Sequence, residues 1–187
     1  MMMEWNNQLF MLLHSTVKSS GPFADVVYWV ADRLDTWLIL FLLLWFLHRA
    51  WQHHIARDNL FCLSCFHEVM MVIITGLTSW GLAGILKILL KAPRPFMIDA
   101  LQAVPLFIPN DPWGFPSGHT ALFFALALVT WFHDRVVGTV ALVLGGMIAL
   151  ARIMAGVHFP LDILGGMVIA AITIVVIMIF DKRHLRK

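Results

Sequence analysis

Gly114-Phe-Pro-Ser-Gly-His-Thr-Ala-Leu-Phe-Phe-Ala-Leu-Ala-Leu-Val-Thr-Trp-Phe132 passes without a break from a polar loop into an apolar helix. Pro116 supplies a rigid approach and Ser117 is a good N-cap. Gly118 lets the backbone come close to a ligand. A helix start offers unpaired N–H groups and the positive end of a dipole, which suits an anion. His119 places a titratable group beside that anion. A polar cluster at the end of a membrane helix marks a functional site by default.

The rest of the chain supports a membrane setting. Of its 187 residues, 60% are hydrophobic and 13% charged, against about 45–50% and about 25% for a soluble domain. The length suits one compact domain over residues 1–187. A net charge of +2 is too small to argue for nucleic acid. The N-terminus lacks a basic n-region and a long apolar core, so it does not read as a cleaved signal peptide. Cys62 and Cys65 are spaced C-x-x-C near His53, His54 and His67. Strong zinc motifs bring four matched ligands, so the pair reads as small apolar residues at a helix start.

Five apolar stretches approach the roughly 20 residues a bilayer requires: 34–51, 68–90, 117–132, 136–155 and 161–180. Gly76, Gly81 and Gly84 in the second permit close helix packing. Residues 4–17 alternate apolar and polar positions as an interfacial helix does, and 22–33 continue them with more charge. The expected fold is an all-α, polytopic transmembrane bundle of five to six spans plus an N-terminal interfacial helix. Arg49, Arg57, Arg135, Lys182, Arg183, Arg186 and Lys187 fall on one side of five spans. The positive-inside rule makes that side cytoplasmic. A sixth span near the N-terminus would move only that terminus.

This topology gathers the unusual polar residues at the outer face. Lys87 to Pro95 ends the second span, Pro116 to His119 begins the third, Arg152 ends the fourth, and His158 and Asp162 begin the fifth. Lys87 and Arg94 are about two helical turns apart, but Pro93 and Pro95 bend the chain, so Arg94 reaches back from a loop. Lys91 joins them or snorkels to headgroups. Arg152, between Ala151 and Ile153, needs a polar cavity or a partner such as Asp162. His158 and Asp162 are spaced i, i+4 and share a face if one helix includes both. A carboxylate on one imidazole nitrogen leaves the other free as nucleophile or base. Cations around an anion-binding helix start, with two histidines, are the equipment of phosphoryl transfer. No carboxylate cluster suggests a metal, so arginine and lysine are expected to neutralise the charge.

These residues resemble the type 2 phosphatidic acid phosphatases, of the superfamily shared with vanadium haloperoxidases. Lys87 through Arg94-Pro95 fits that family's first motif and Pro116-Ser117-Gly118-His119 its second. Arg152, His158 and Asp162 fit the third, where Ala151 replaces its serine. The motifs lie within 87–162. The resemblance implies that His158 is the nucleophile of a phosphohistidine intermediate, that Asp162 orients it, and that His119 is the general acid. It implies that Lys87, Arg94, Ser117, Gly118 and Arg152 bind phosphate, with no metal or other cofactor. It further implies a membrane lipid phosphate as substrate at the outer face of a bacterial plasma membrane.

The resemblance favours undecaprenyl diphosphate. Lipid A 1-phosphate, phosphatidylglycerophosphate, phosphatidate and lipid phosphotransfer are alternatives, and the loop 96–115 with Phe107, Asp111 and Trp113 shapes the mouth of the site. The rival from another class is a transporter or anion channel, whose charges should line a path at several depths.

Overall fold

The computed structural model describes residues 4–17, 20–57 and 63–181, and every regular element among them is helical. Seven α-helices follow in order: α1 Glu4–His14, α2 Pro22–Asp32, α3 Leu34–Arg57, α4 Leu63–Leu90, α5 Gly118–His133, α6 Arg135–Met154 and α7 Pro160–Phe180. Two short 3-10 turns, Pro95–Met97 and Asp99–Leu101, interrupt the loop expected at 96–115. Cys62 and the side chains of Cys65, His53 and His54 lie outside the described residues.

The helix limits follow local chemistry. Ser117 caps α5, its Oγ accepting from Thr120 N at 3.4 Å. Asp134 ends α5 and caps α6, with Oδ1 accepting from Val136 N at 2.9 Å and Val137 N at 3.0 Å. Pro160 is the first residue of α7, where its missing N–H costs nothing. That start corrects one expectation: His158 lies outside α7, so the pair does not share a helix face. Asp162 reaches back over the helix start instead.

Among the described residues, 67–90 of α4 and the whole of α6 and α7 are long and apolar enough to cross a membrane, while α5 is a shorter apolar helix. With the apolar run 37–47 of α3 they form a polytopic transmembrane bundle. Helix α5 is its axis and packs on α4, α6 and α7. Close approach of α5 and α7 depends on Gly166, where a Cβ would stand 2.7 Å from Ser117 O and 2.8 Å from Thr120 Cβ. Of the three glycines of α4, only Gly76 faces α5, its Cβ position 2.8 Å from Leu126 Cδ2; Gly81 and Gly84 face open space. The helical repeat of about 100° per residue explains the split. It puts Ala83, not Gly81 or Gly84, on the Gly76 face, and Ala83 is buried beside Ala121 and Ile169. Large apolar side chains point outward along α3 and α7, among them Trp37, Leu40, Leu44, Val168, Ile172 and Val175. Such a belt suits lipid contact rather than water.

Successive helices α3 to α7 alternate in direction, so the start of α3, the end of α4, the start of α5, the end of α6 and the start of α7 share one end. At the opposite end Arg49 donates to Glu68 at 3.1 Å, and His67 lies 3.4 Å from Asp181. Helices α1 and α2 close over the first end. Phe10 of α1 is buried against Phe159, Ile153 and Ile163, while Trp5, Leu9 and Leu12 are exposed, as an interfacial helix requires. Helix α2 buries Ala24, Val27 and Ala31 against Ala151, Ala155 and Val157.

Candidate active site

Lys87, Arg94, Ser117, Gly118, His119, Arg152, His158 and Asp162 all lie buried or partly buried at this first end. Lys91 is exposed, the position expected of a residue that snorkels. The other residues are placed by a set of main-chain ties. Pro93 pairs with Trp113 as an isolated antiparallel bridge, and Gly114 N donates to Ala92 O at 2.8 Å. Ser117 N donates to Asp162 O at 2.9 Å, which locks the start of α5 to the start of α7. Gly114 is required by proximity: a Cβ there would stand 3.1 Å from Asp162 Oδ2 and 3.3 Å from Pro93 O.

The first cluster is a pair of buried cations around one carboxylate. Lys87, at the end of α4, donates from Nζ to both Asp111 oxygens, at 3.0 and 2.9 Å, and to Trp113 O at 3.1 Å. Arg94 reaches back from the loop, as its prolines demand. It is 1% exposed. Its Nε donates to Asp111 O at 3.1 Å, its Nη1 to Val157 O at 2.7 Å, and its Nη2 to Asp111 Oδ1. Burial raises the Asp111 carboxyl, but the adjacent Lys87 and Arg94 outweigh burial and leave it below the usual carboxylate value.

The second cluster is a histidine–carboxylate dyad. Oδ2 of Asp162 accepts from Phe159 N at 2.8 Å and from His158 Nδ1 at 3.1 Å. Arg94 Nη1 stands 3.4 Å from His158 Nε2, so the proton belongs on Nδ1 and the Nε2 lone pair faces the guanidinium. Burial, then Arg152, Arg94 and Lys87, hold the His158 imidazole well below its ordinary pKa. It is therefore neutral, with one nitrogen available for bonding.

The third cluster joins His119 to a residue that motif reasoning passed over. His119 Nε2 lies 3.3 Å from Asp35 Oδ2, with the histidine side chain 41% exposed and the carboxylate 14%. Arg152 donates from Nη1 to Ala31 O at 2.7 Å and stands 5.6 Å over the Phe107 ring. It does not pair with Asp162, because α2 supplies its acceptor. Its Nε is buried with no hydrogen-bond partner among the described residues. A cleft of about 270 Å³ is lined by Asp111, His119, Arg152, Phe107, Asp32 and neighbouring loop residues. Ser117 and Gly118, next to His119 at the start of α5, are both buried. Ala151 is buried in an apolar cluster with Ala24, Val27 and Ala31 of α2.

Asp35 and Ala31 lie outside the three motifs. One signal for Asp35 was available: alternation of the spans puts the start of α3 at the same end as the clusters. Nothing in the sequence marked the Ala31 carbonyl.

The profile of the PAP2 superfamily matches residues 67–186. The bacitracin transport permease protein BcrC of Bacillus licheniformis is 25% identical over 172 residues, 91% of this chain and 77% of its own length. Undecaprenyl-diphosphatase BcrC of Bacillus subtilis is 29% identical over 106 residues, 56% of this chain and 53% of its own. The crystal structure of Aquifex aeolicus LpxE aligns with a TM-score of 0.62 at 25% identity, covering 94% of this chain and 95% of that one. The chain belongs to the PAP2 superfamily, and it is an integral-membrane phosphatase.

Proposed function

We propose that this PAP2 phosphatase hydrolyses a lipid diphosphate, undecaprenyl diphosphate foremost, at the outer face of a bacterial plasma membrane. The observation that carries the reading is the buried His158, backed by the Asp162 carboxylate on Nδ1 and facing Arg94 with Nε2. In the first step Nε2 attacks the terminal phosphorus, and the bond from phosphorus to the bridging oxygen breaks. Asp162 holds Nδ1–H and stabilises the charge that develops on the ring. His119, its ring held by Asp35, donates a proton to the leaving oxygen. In the second step His119 accepts a proton from water, water attacks the phosphohistidine, and inorganic phosphate leaves with His158 regenerated. Lys87, Arg94 and Arg152, with the Ser117 hydroxyl and the Gly118 amide, bind the equatorial oxygens, and the helix dipole of α5 favours their charge.

The named substrate of the Bacillus subtilis relative supports the choice of lipid. The apolar belt on α3 and α7 offers a lipid-facing surface for a hydrocarbon tail. The distribution of arginine and lysine in the loops supports an outward-facing site. One protein domain over 1–187 suffices for this chemistry.

The test is phosphate release by purified protein in detergent with EDTA. Undecaprenyl diphosphate, lipid A, phosphatidylglycerophosphate and phosphatidate would each be tried with the wild type and His158→Ala. Release from undecaprenyl diphosphate that resists EDTA and vanishes in the variant is expected. Faster turnover of another lipid would replace the substrate assignment. Release only when a second lipid acceptor is added would indicate phosphotransfer. Absence of turnover from every lipid would favour transport, the activity in the name of the Bacillus licheniformis relative.

A further inference from the structure

We propose that the Asp111 carboxylate is a resident competitor of the substrate phosphate: it occupies the Lys87–Arg94 anion site when that site is free and leaves these cations when phosphate binds. This rests on the reading of Lys87 and Arg94 as phosphate ligands.

Both oxygens of Asp111 are engaged by Lys87 Nζ, at 3.0 and 2.9 Å, and one also receives Arg94 Nη2. These are the contacts a phosphate oxygen would make. The two cations are buried, with Lys87 7% and Arg94 1% exposed, so neither can swing out to meet a second anion. Asp111 differs: its side chain is 50% exposed, it sits in a loop, and it lines the same cleft as His119 and Arg152. The mobile partner of the three is therefore the carboxylate. Two anions cannot both keep contacts near 3 Å with the same two cations without mutual repulsion. Arg94 Nε is satisfied by the Asp111 main-chain carbonyl, so the loop stays tethered while the carboxylate rotates away. The consequence is a site that holds inorganic phosphate weakly, and that favours a ligand whose hydrocarbon tail adds binding elsewhere.

The experiment uses the full chain in detergent. Inhibition constants for inorganic phosphate and orthovanadate, and the melting temperature at rising phosphate, are measured for wild type, Asp111→Asn, Arg94→Ala and Thr139→Ala. Asp111→Asn should tighten phosphate inhibition by about tenfold, the scale of one charged hydrogen bond, and enlarge the rise in melting temperature that phosphate produces. Thr139→Ala, at an exposed position of α6 near the opposite end, should leave both unchanged. If Asp111→Asn is folded only when phosphate is present, that dependence also supports the proposal. Weaker or unchanged inhibition in Asp111→Asn, or a variant that fails to fold even with phosphate, would make Asp111 a permanent partner and overturn it. Failure of the underlying reading looks different: Arg94→Ala would then bind phosphate and vanadate as well as the wild type does.

Discussion

Asp162→Asn separates the charge of the dyad from its geometry. Oδ2 of Asp162 accepts 2.8 Å from Phe159 N and 3.1 Å from His158 Nδ1. An asparagine has two settings there. With its amide oxygen in place of Oδ2, both bonds survive and only charge assistance is lost. A charge-assisted bond contributes about 1.5–3 kcal/mol and a neutral one about 0.5–1.5 kcal/mol. The difference, about 1–1.5 kcal/mol, is about a five- to twelvefold loss of rate. Turned over, the amide nitrogen would face the Phe159 N–H and force the His158 proton onto Nε2, against the Arg94 donor. Imposing the wrong tautomer costs about 10⁴ in a comparable triad. The Phe159 N–H disfavours that setting, because leaving a buried donor unpaired costs about 1–3 kcal/mol. Single-turnover phosphate release should therefore fall about tenfold in Asp162→Asn. Asp162→Ala, which orphans both donors, should lose at least about a hundredfold on the same scale. A rate for Asp162→Asn within twofold of wild type would refute the role of the charge. A thousandfold loss would refute the claim that Phe159 N–H selects the setting.

The remaining predictions concern the surrounding groups. His119→Ala should slow lipid diphosphates with poor leaving groups far more than an activated aryl phosphate; an equal loss across leaving groups would remove its acid role. Arg152→Lys should lose tenfold or more in kcat/KM, about 1.4 kcal/mol, since lysine cannot span Ala31 O and a phosphate together; a retained rate would make Arg152 structural. Gly114→Ala should lower kcat well before it lowers the melting temperature, because its Cβ would press on Asp162 Oδ2 at 3.1 Å; equal losses of both would mean a general packing defect. Burial and the surrounding cations depress the His158 pKa, so the imidazole proposed as nucleophile stays neutral as pH falls through about 6.5 and is protonated only below it. An acid limb of kcat/KM centred near 6.5, with a substrate whose own phosphate titrates elsewhere, would count against that state.

Much of the candidate site was legible because it is built from rare residue types in an apolar background. Lys87, Arg94, Arg152, His119, His158 and Asp162 stand out where charge is costly, and alternation of the spans put them at one end. The helix starts were legible for the same local reason, since Ser117 and Pro160 act on their own turn. What failed was anything that depends on rotation about a helix axis or on a distant partner. Gly81 and Gly84 look like Gly76 in sequence and face elsewhere. The α2 carbonyl that accepts from Arg152 carried no signal in the sequence. Asp111 read as part of the mouth of the site, and nothing in the sequence showed that its carboxylate pairs with Lys87 and Arg94.

Composition, apolar run lengths and motif spacing by themselves determined a membrane bundle with a cation-rich site at one end, because hydrophobic transfer and the cost of buried charge act residue by residue. Tertiary structure alone decided which carboxylates serve the other groups: Asp35 for His119, and Asp111 for Lys87 and Arg94. An ion pair needs a separation of a few ångströms, and residues 24 or 84 positions apart in the chain reach it only when packed helices bring their ends together.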